Sequence, residues 1–258
     1  MDSNIKIIIA THKIYQMPQD PLYIPVQVGA EGKNDIGYQR DNIGENISSK
    51  NPNYCELTGL FWAWKNLNAD YIGLAHYRRH FSYKKKKDKF SSILTNSEAA
   101  RLCSKYDVIV PKKRRYFIET LESHYNHTHD GNHLEFARQV IKEKCPEYLP
   151  TFEQVMKRSC AHMFNMFIMK KELLDQYCSW VFDILFEIEK RINLKDLSAF
   201  DARLFGRISE LLLDVWLTKN NISYKEIPFI QLGNENWFQK IKGFIEAKYF
   251  GKKYSCSK

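Results

Sequence analysis

No window of the sequence approaches the roughly 18 uncharged apolar residues that a membrane-spanning helix needs. The opening Met1-Asp2-Ser3-Asn4-Ile5-Lys6 is polar and runs straight into a strand pattern. It lacks the charged segment and long apolar run of a secretory leader, so a cytoplasmic location is expected. Cysteine is sparse and unpatterned: residues 55, 103, 145, 160, 178 and 256, with no CxxC spacing. That argues for reduced thiols and against a disulfide framework or a zinc ribbon. GxxxxGK[ST] is absent; Gly32 and Gly37 have the spacing, but Tyr38 stands where Lys is needed. There is no GxGxxG after the first strand, no HExxH and no GxSxG. His124, His127, His129 and His133 form the one histidine cluster, but Gly131-Asn132 interrupts any single helical face there. Only Asp130 adds a ligand at suitable spacing, so the expectation is against a metal. Repeats, low-complexity tracts and linkers are lacking too, which leaves a single domain over residues 1–258.

What is present is ordinary globular chemistry with two biases. Hydrophobic residues make up 44% and charged residues 27%, which excludes a disordered chain. Lys and Arg number 39 against 30 Asp and Glu, a net charge of +9. The excess favours an anionic partner: nucleic acid, an acidic membrane or a phosphorylated small molecule. Sixteen Phe, 15 Tyr and 5 Trp supply rings for both a core and a cleft.

Short β-branched runs alternate with helical patterns. Strands are expected at Ile5–Ala10, Tyr23–Val28, Asp70–His76, Tyr106–Val110, Met163–Met169 and Ser223–Pro228. Helices are expected from Asn51, over Ser97–Lys105, over Lys171–Arg191 and over Ala202–Asn220. A helical insertion spans about 112–160, and residues 248–258 form a basic, aromatic tail. This alternation predicts an α/β sandwich with a mostly parallel central sheet. Ligands in such folds bind at the carboxyl ends of the strands. The stretch Tyr71-Ile72-Gly73-Leu74-Ala75-His76-Tyr77-Arg78-Arg79-His80 therefore stands out: a buried strand delivers two arginines and two histidines to that edge. Guanidinium forks match phosphate oxygens, and the competing reading is a plain basic turn.

Several ordered motifs carry a family resemblance. They are Thr11-His12-Lys13, Val26-Gln27-Val28-Gly29-Ala30, Asp41 to Ile47, Asn53 to Gly59, Trp62-Ala63-Trp64-Lys65-Asn66, His76-Tyr77-Arg78-Arg79, Asn165 to Met169 and Gly206 to Leu212. Together they resemble a bacterial family of glycosyltransferase-like domains from capsule and O-antigen gene clusters, a domain of unknown function linked to galactosyl or galactofuranosyl transfer. The resemblance implies a GT-A-like nucleotide-sugar-binding sandwich. It also implies a UDP-sugar donor and a surface-polysaccharide acceptor, lipid-linked or oligosaccharide. The GT-A pattern ends this strand in Asp-x-Asp, which holds a divalent metal; here the place reads His76-Tyr77-Arg78. The expectation is therefore that no metal cofactor is needed, and that His76, Arg78 and Arg79 neutralise the diphosphate. If a metal is used, Asp41 and Glu45 are its first candidate ligands.

By the same resemblance, Thr11, His12, Asp41, Tyr77 and Asn165 belong to donor binding and His129 to the acceptor. For Thr11 and Asn165, a turn or a structural hydrogen bond is the bland alternative. Glu210, at the start of a late helix, matches the general base of an inverting transferase. First-turn glutamates also occur for helix-dipole reasons alone. Asp201 is the reserve base or a helix cap. The tail and Lys84–Lys87 suit peripheral contact with an anionic membrane, or merely solubility. Two rivals from other classes are a basic nucleic-acid-binding module and a non-catalytic scaffold of a polysaccharide assembly complex. The first predicts a continuous basic stripe with exposed rings; the sequence instead concentrates Arg at a strand end, so nucleic acid is not the expected partner.

Overall fold

The isoleucine-rich run near the start becomes the middle of the sheet. In the computed structural model, which describes residues 3–233, the chain begins with β1 (Ile5–Thr11), β2 (Tyr23–Gln27) and β3 (Gln39–Arg40). Next come α1 (Asn51–Tyr54), α2 (Leu57–Asn66), β4 (Tyr71–His76), β5 (Arg79–Phe81) and α3 (Asn96–Cys103). A middle portion holds β6 (Val108–Pro111), β7 (Arg114–Arg115), α4 (Leu121–Thr128), α5 (Asn132–Lys144), α6 (Leu149–Met156) and β8 (Cys160–Ala161). The last part is β9 (Phe167–Lys170), α7 (Lys171–Arg191), α8 (Leu204–Lys219), β10 (Lys225–Ile227) and β11 (Phe229–Gln231).

The main sheet runs β10-β6-β9-β4-β1-β2-β3. All of these strands are parallel except β9, which is antiparallel to both β4 and β6. The mostly parallel central sheet expected from the alternation is therefore present. The period of two divides its core. Ile7 and Ile9 face one side, with Leu94, Leu102 and α3. Ile8 and Ala10 face the other, with α2, α7 and α8. Gly73 lies where β1, β4 and β9 meet; a Cβ there would come within 2.9 Å of the Phe167 carbonyl oxygen.

The expected amphipathic helix at Lys171–Arg191 buries Leu174, Tyr177, Val181, Leu185 and Ile188. Trp64 stacks on its Phe182, and Trp62 is buried and donates Nε1–H to the Ile43 carbonyl at 2.9 Å, so both tryptophans pack. The helix α8 is apolar nearly all round and mostly buried, with Arg207, Glu210, Thr218 and Lys219 left half-buried. Its buried Asp214 accepts from the His162 backbone at 2.7 Å and contacts the His162 Nδ1 at 2.9 Å. The five described cysteines are all free thiols.

Three of the boundaries that differ from the sequence reading have a clear backbone reason. The helix expected from Asn51 breaks at Cys55, which sits at φ 52°, ψ −128°. The strand expected from Met163 starts at Phe167, because Phe164 (φ 77°) and Asn165 (φ 53°) are left-handed. The final strand stops before Pro228, which has no N–H to donate, and β11 then pairs with β5. The basic tail over 248–258 lies outside the described residues.

Candidate functional site

One pocket of about 110 Å³ gathers the chemistry. Its walls are Cys55 and Glu56 from the α1–α2 break, His76 and Arg79 from the β4–β5 turn, and Phe164 before β9. Arg203, Gly206, Arg207 and Glu210 from the start of α8 complete it. The last four are spaced at i, i+3, i+4 and i+7, so one helical face presents two arginines, a glycine and a carboxyl. Gly206 lets that face approach the break closely: a Cβ there would sit 3.3 Å from the Cys55 Cβ.

Three non-glycine residues around the pocket, Cys55, Phe164 and Asn165, have positive φ. Such conformations cost of order 1–3 kcal/mol each and persist where the surroundings over-determine them. Here the determinants are visible. The His76 Nε2–H donates to the Phe164 carbonyl, the only role that oxygen can take. Asn165 is buried and donates Nδ2–H to Glu56 Oε1 at 2.7 Å and to the Gly206 carbonyl at 2.9 Å. Its Oδ1 accepts from the Ser209 hydroxyl at 2.8 Å. Both Asn165 donors are thus committed within the protein, and the residue fixes Glu56 in the pocket wall.

The electrostatics oppose two carboxyls to several guanidiniums. Burial, then the charge of Glu56, push the Glu210 carboxyl up to about 7, against the pull of Arg79, the Phe164 backbone and Arg114. A carboxyl at that value holds and releases a proton at neutral pH. Burial, reinforced by Arg79 and Arg203, lowers the pKa of His76. Its imidazole is therefore uncharged at neutral pH and serves as a backbone clamp. The Arg79 Nε–H donates to Gln231 Oε1 at 2.9 Å, and its guanidinium lies over the Phe164 ring at 4.3 Å. Arg207 rests over the Phe200 ring at 4.0 Å. Its Nη1 is buried with no hydrogen-bond partner among the described residues. Burial pushes the Cys55 thiol up to about 11, so it is not a nucleophile at neutral pH.

The other residues singled out in the sequence fall around this pocket or away from it. Arg78 is exposed and stacks over Tyr77 at 5.1 Å. Tyr77 also packs edge-on against His12 at 5.4 Å and Tyr15 at 5.1 Å. His12 is exposed on a basic rim; partial burial, then Lys13, Lys33, Arg78 and Arg203, lower its pKa. Thr11 is buried and bonds the Lys13 backbone through Oγ1, so it forms the turn. Asp41 is placed away from the pocket lining. It is fully buried, accepts from the Gly29 and Ala30 amides at 2.7 and 2.9 Å and from the Ser48 hydroxyl, and so anchors the 29–48 loop. Glu45 pairs with Lys65 at 3.2 Å. His129 caps α4, its Nδ1 buried without a hydrogen-bond partner among the described residues; burial and Arg207 lower its pKa to about 3. It stands behind Phe200 and Arg207, beside the pocket. Asp201 bonds Ser198 in a short turn and does not line the pocket. Among the described residues no three His, Cys, Asp or Glu side chains are grouped to hold a metal ion.

Sequence reasoning gave no role to Cys55, Arg203, Gly206 or Arg207. For the α8 residues the signal was available in the i, i+3, i+4, i+7 spacing that leads to Glu210. For Cys55 and Glu56 no local signal exists, because the strained break follows from packing against Gly206.

The fold and the pocket define an α/β protein with a cleft lined by Arg79, Arg203 and Arg207 and a neutral-range carboxyl at the carboxyl edge of its sheet. The chain belongs to the family described as a domain of unknown function, DUF4422, whose model matches residues 6–221. It is similar to the solved apo structure of the bifunctional glycosyltransferase WbbM, at 28% identity and a TM-score of 0.80. That match covers 90% of this chain and 46% of WbbM, so the chain spans about half the length of that protein. No curated protein matches. Among the described residues no helix is long and apolar enough to cross a membrane.

Proposed function

We propose that this chain is a glycosyltransferase that moves a hexose from a UDP-sugar to a hydroxyl of a surface polysaccharide under construction. The observation that carries the reading is one pocket in which a carboxyl titrating near 7 faces Arg79, Arg203 and Arg207. The match to WbbM, a bifunctional glycosyltransferase, supports the class. Galactose, as pyranose or furanose, is the sugar the family resemblance favours.

In this reading Glu210 takes the proton of the acceptor hydroxyl. The oxygen attacks the anomeric carbon from the side opposite the diphosphate, and the bond to the diphosphate breaks with inversion. The electron pair leaves on a phosphate oxygen, where the guanidiniums stabilise the developing charge. Arg78 and Lys13 on the rim extend that field. A positioned base contributes on the order of 10²–10⁴-fold. Glu56, held by Asn165, faces the sugar hydroxyls.

The test is turnover and binding over a panel of UDP-hexoses, with and without an oligosaccharide acceptor. One hexose is expected to be hydrolysed slowly alone and transferred faster with acceptor. Neither turnover nor binding with any member contradicts the proposal. Full activity in excess chelator supports neutralisation of the diphosphate by the arginines alone, and complete loss overturns that part.

A further inference from the structure

The segment Lys112-Lys113-Arg114-Arg115-Tyr116-Phe117-Ile118 lies in the connection between β6 and α4, away from the pocket lining. Its base is rigid. Arg114 and Arg115 pair with Ala161 and Cys160 across the small β7–β8 ladder. The Tyr116 amide donates to the Ser159 carbonyl at 2.7 Å, and its ring lies 4.1 Å from that of His124. A tight turn follows, closed by the Glu119 amide donating to the Tyr116 carbonyl at 2.7 Å.

The two central positions of that turn are Phe117 and Ile118, exposed by 88% and 68%. Tight turns select Gly, Pro, Asn, Asp and Ser there, and large apolar residues normally seek cover. A local rule broken on a firmly held backbone marks a functional site more often than a defect. The charges around it agree. Lys112, Arg114 and Arg115 are exposed beside the apolar tip. The nearest acid along the chain, Glu119, is turned inward onto His124 and His127 at 3.0 and 2.8 Å. The next, Glu122, is bound to Arg138 at 2.6 Å. Across the sheet, Glu226 pairs with the neighbouring Lys113 at 3.9 Å. The segment therefore presents two apolar side chains together with the exposed cations Lys112, Arg114 and Arg115.

We propose that this turn is a membrane-docking element, with Phe117 and Ile118 entering the interface of an anionic bilayer and Lys112, Arg114 and Arg115 on its headgroups. An acidic lipid surface answers both the apolar tip and the excess of exposed cations in the same segment. The turn is also close to the pocket, since Arg114 and Tyr116 both sense the Glu210 carboxyl. Docking would thus hold the pocket near the lipid surface, where a lipid-linked acceptor lies. That consequence rests on the transferase reading; the docking itself does not.

The test is co-sedimentation of the full chain with phosphatidylglycerol-containing vesicles against pure phosphatidylcholine vesicles. Binding to the first, weakened by salt, is expected. Phe117→Ser/Ile118→Ser should weaken it at least tenfold, and Lys112→Ala/Arg115→Ala by roughly thirtyfold at about fivefold per cation. Slow hydrolysis of a soluble UDP-sugar and the thermal midpoint should be unchanged in the Phe117/Ile118 variant, which separates docking from both folding and catalysis. Absence of binding to anionic vesicles overturns the proposal. So does binding that persists undiminished in both variants, which would place the contact on the tail or on Lys84–Lys87.

Discussion

Replacing Glu210 by Gln separates what the carboxyl does for chemistry from what it does to the fold. In the folded chain the group titrates at about 7 rather than 4.5, because burial and Glu56 outweigh Arg79 and the Phe164 backbone. The folded state therefore keeps a proton between pH 4.5 and 7 that the unfolded chain has released. By linkage, stability is lost as pH rises through that window, and the loss is complete above the folded value. The shift corresponds to at most about 3 kcal/mol. Glutamine keeps the shape and an acceptor for the Phe164 amide, and carries no charge to desolvate. The variant should then be more stable than the parent at alkaline pH by about 1–3 kcal/mol, roughly 3–8 °C in Tm for a chain of this size. In acid, below both values, the two should melt together. Activity should move the opposite way, falling about 10²–10⁴-fold, while the parent's rate rises through the neutral range as the base deprotonates. Calorimetry of both proteins in acid and alkaline buffer, alongside the pH–rate profile, reads all of this. A variant no more stable than the parent above neutrality would refute the reasoning, because the carboxyl would then ionise in the fold without cost.

Further outcomes follow from the pocket's supports. Asn165→Asp keeps the shape but sets an oxygen against Glu56 and the Gly206 carbonyl; Tm should fall by the equivalent of about 3 kcal/mol at pH 8, and by less in acid, where the new carboxyl is protonated. Cys55→Gly should match or exceed the parent in thermal stability, whereas Cys55→Val should fall by about 1–3 kcal/mol, because the position is left-handed. Alkylation of Cys55 at neutral pH, followed by mass spectrometry, should be slow. Gly73→Ala should destabilise by about 1–3 kcal/mol or more in a denaturant titration, since the added methyl meets the β9 backbone.

Much of the architecture was readable because it rests on periodicity. The continuous apolar run of Ile5–Thr11 and the helical stripe of α7 carry their own burial pattern, and strand–helix alternation dictates a parallel sheet. The reversal of β9 was not readable, since direction depends on the long helical path between β6 and β9 and not on local pattern. At the site, His76 and Arg79 were reached by their positions at a strand end; Glu210 was read as a first-turn glutamate, but α8 begins at Leu204 and carries it in its second turn, where it faces the pocket instead of capping the helix. Their roles were less legible. His76 looks like a cation in sequence, but burial beside Arg79 leaves it neutral and its N–H is committed to Phe164. Asp41 looks like a ligand among polar neighbours, yet two amides and a hydroxyl saturate it. The pocket's other wall depends on Cys55, Phe164 and Asn165 in backbone states that no residue type there announces.

The central claim is that Arg79, Arg203 and Arg207 grip the diphosphate of an activated sugar beside Glu210. Calorimetric titration of UDP into the parent and into Arg207→Ala tests it most directly. Loss of one charge-assisted fork should weaken binding roughly tenfold to a hundredfold. Equal affinity in both proteins, or no binding to the parent, would contradict it.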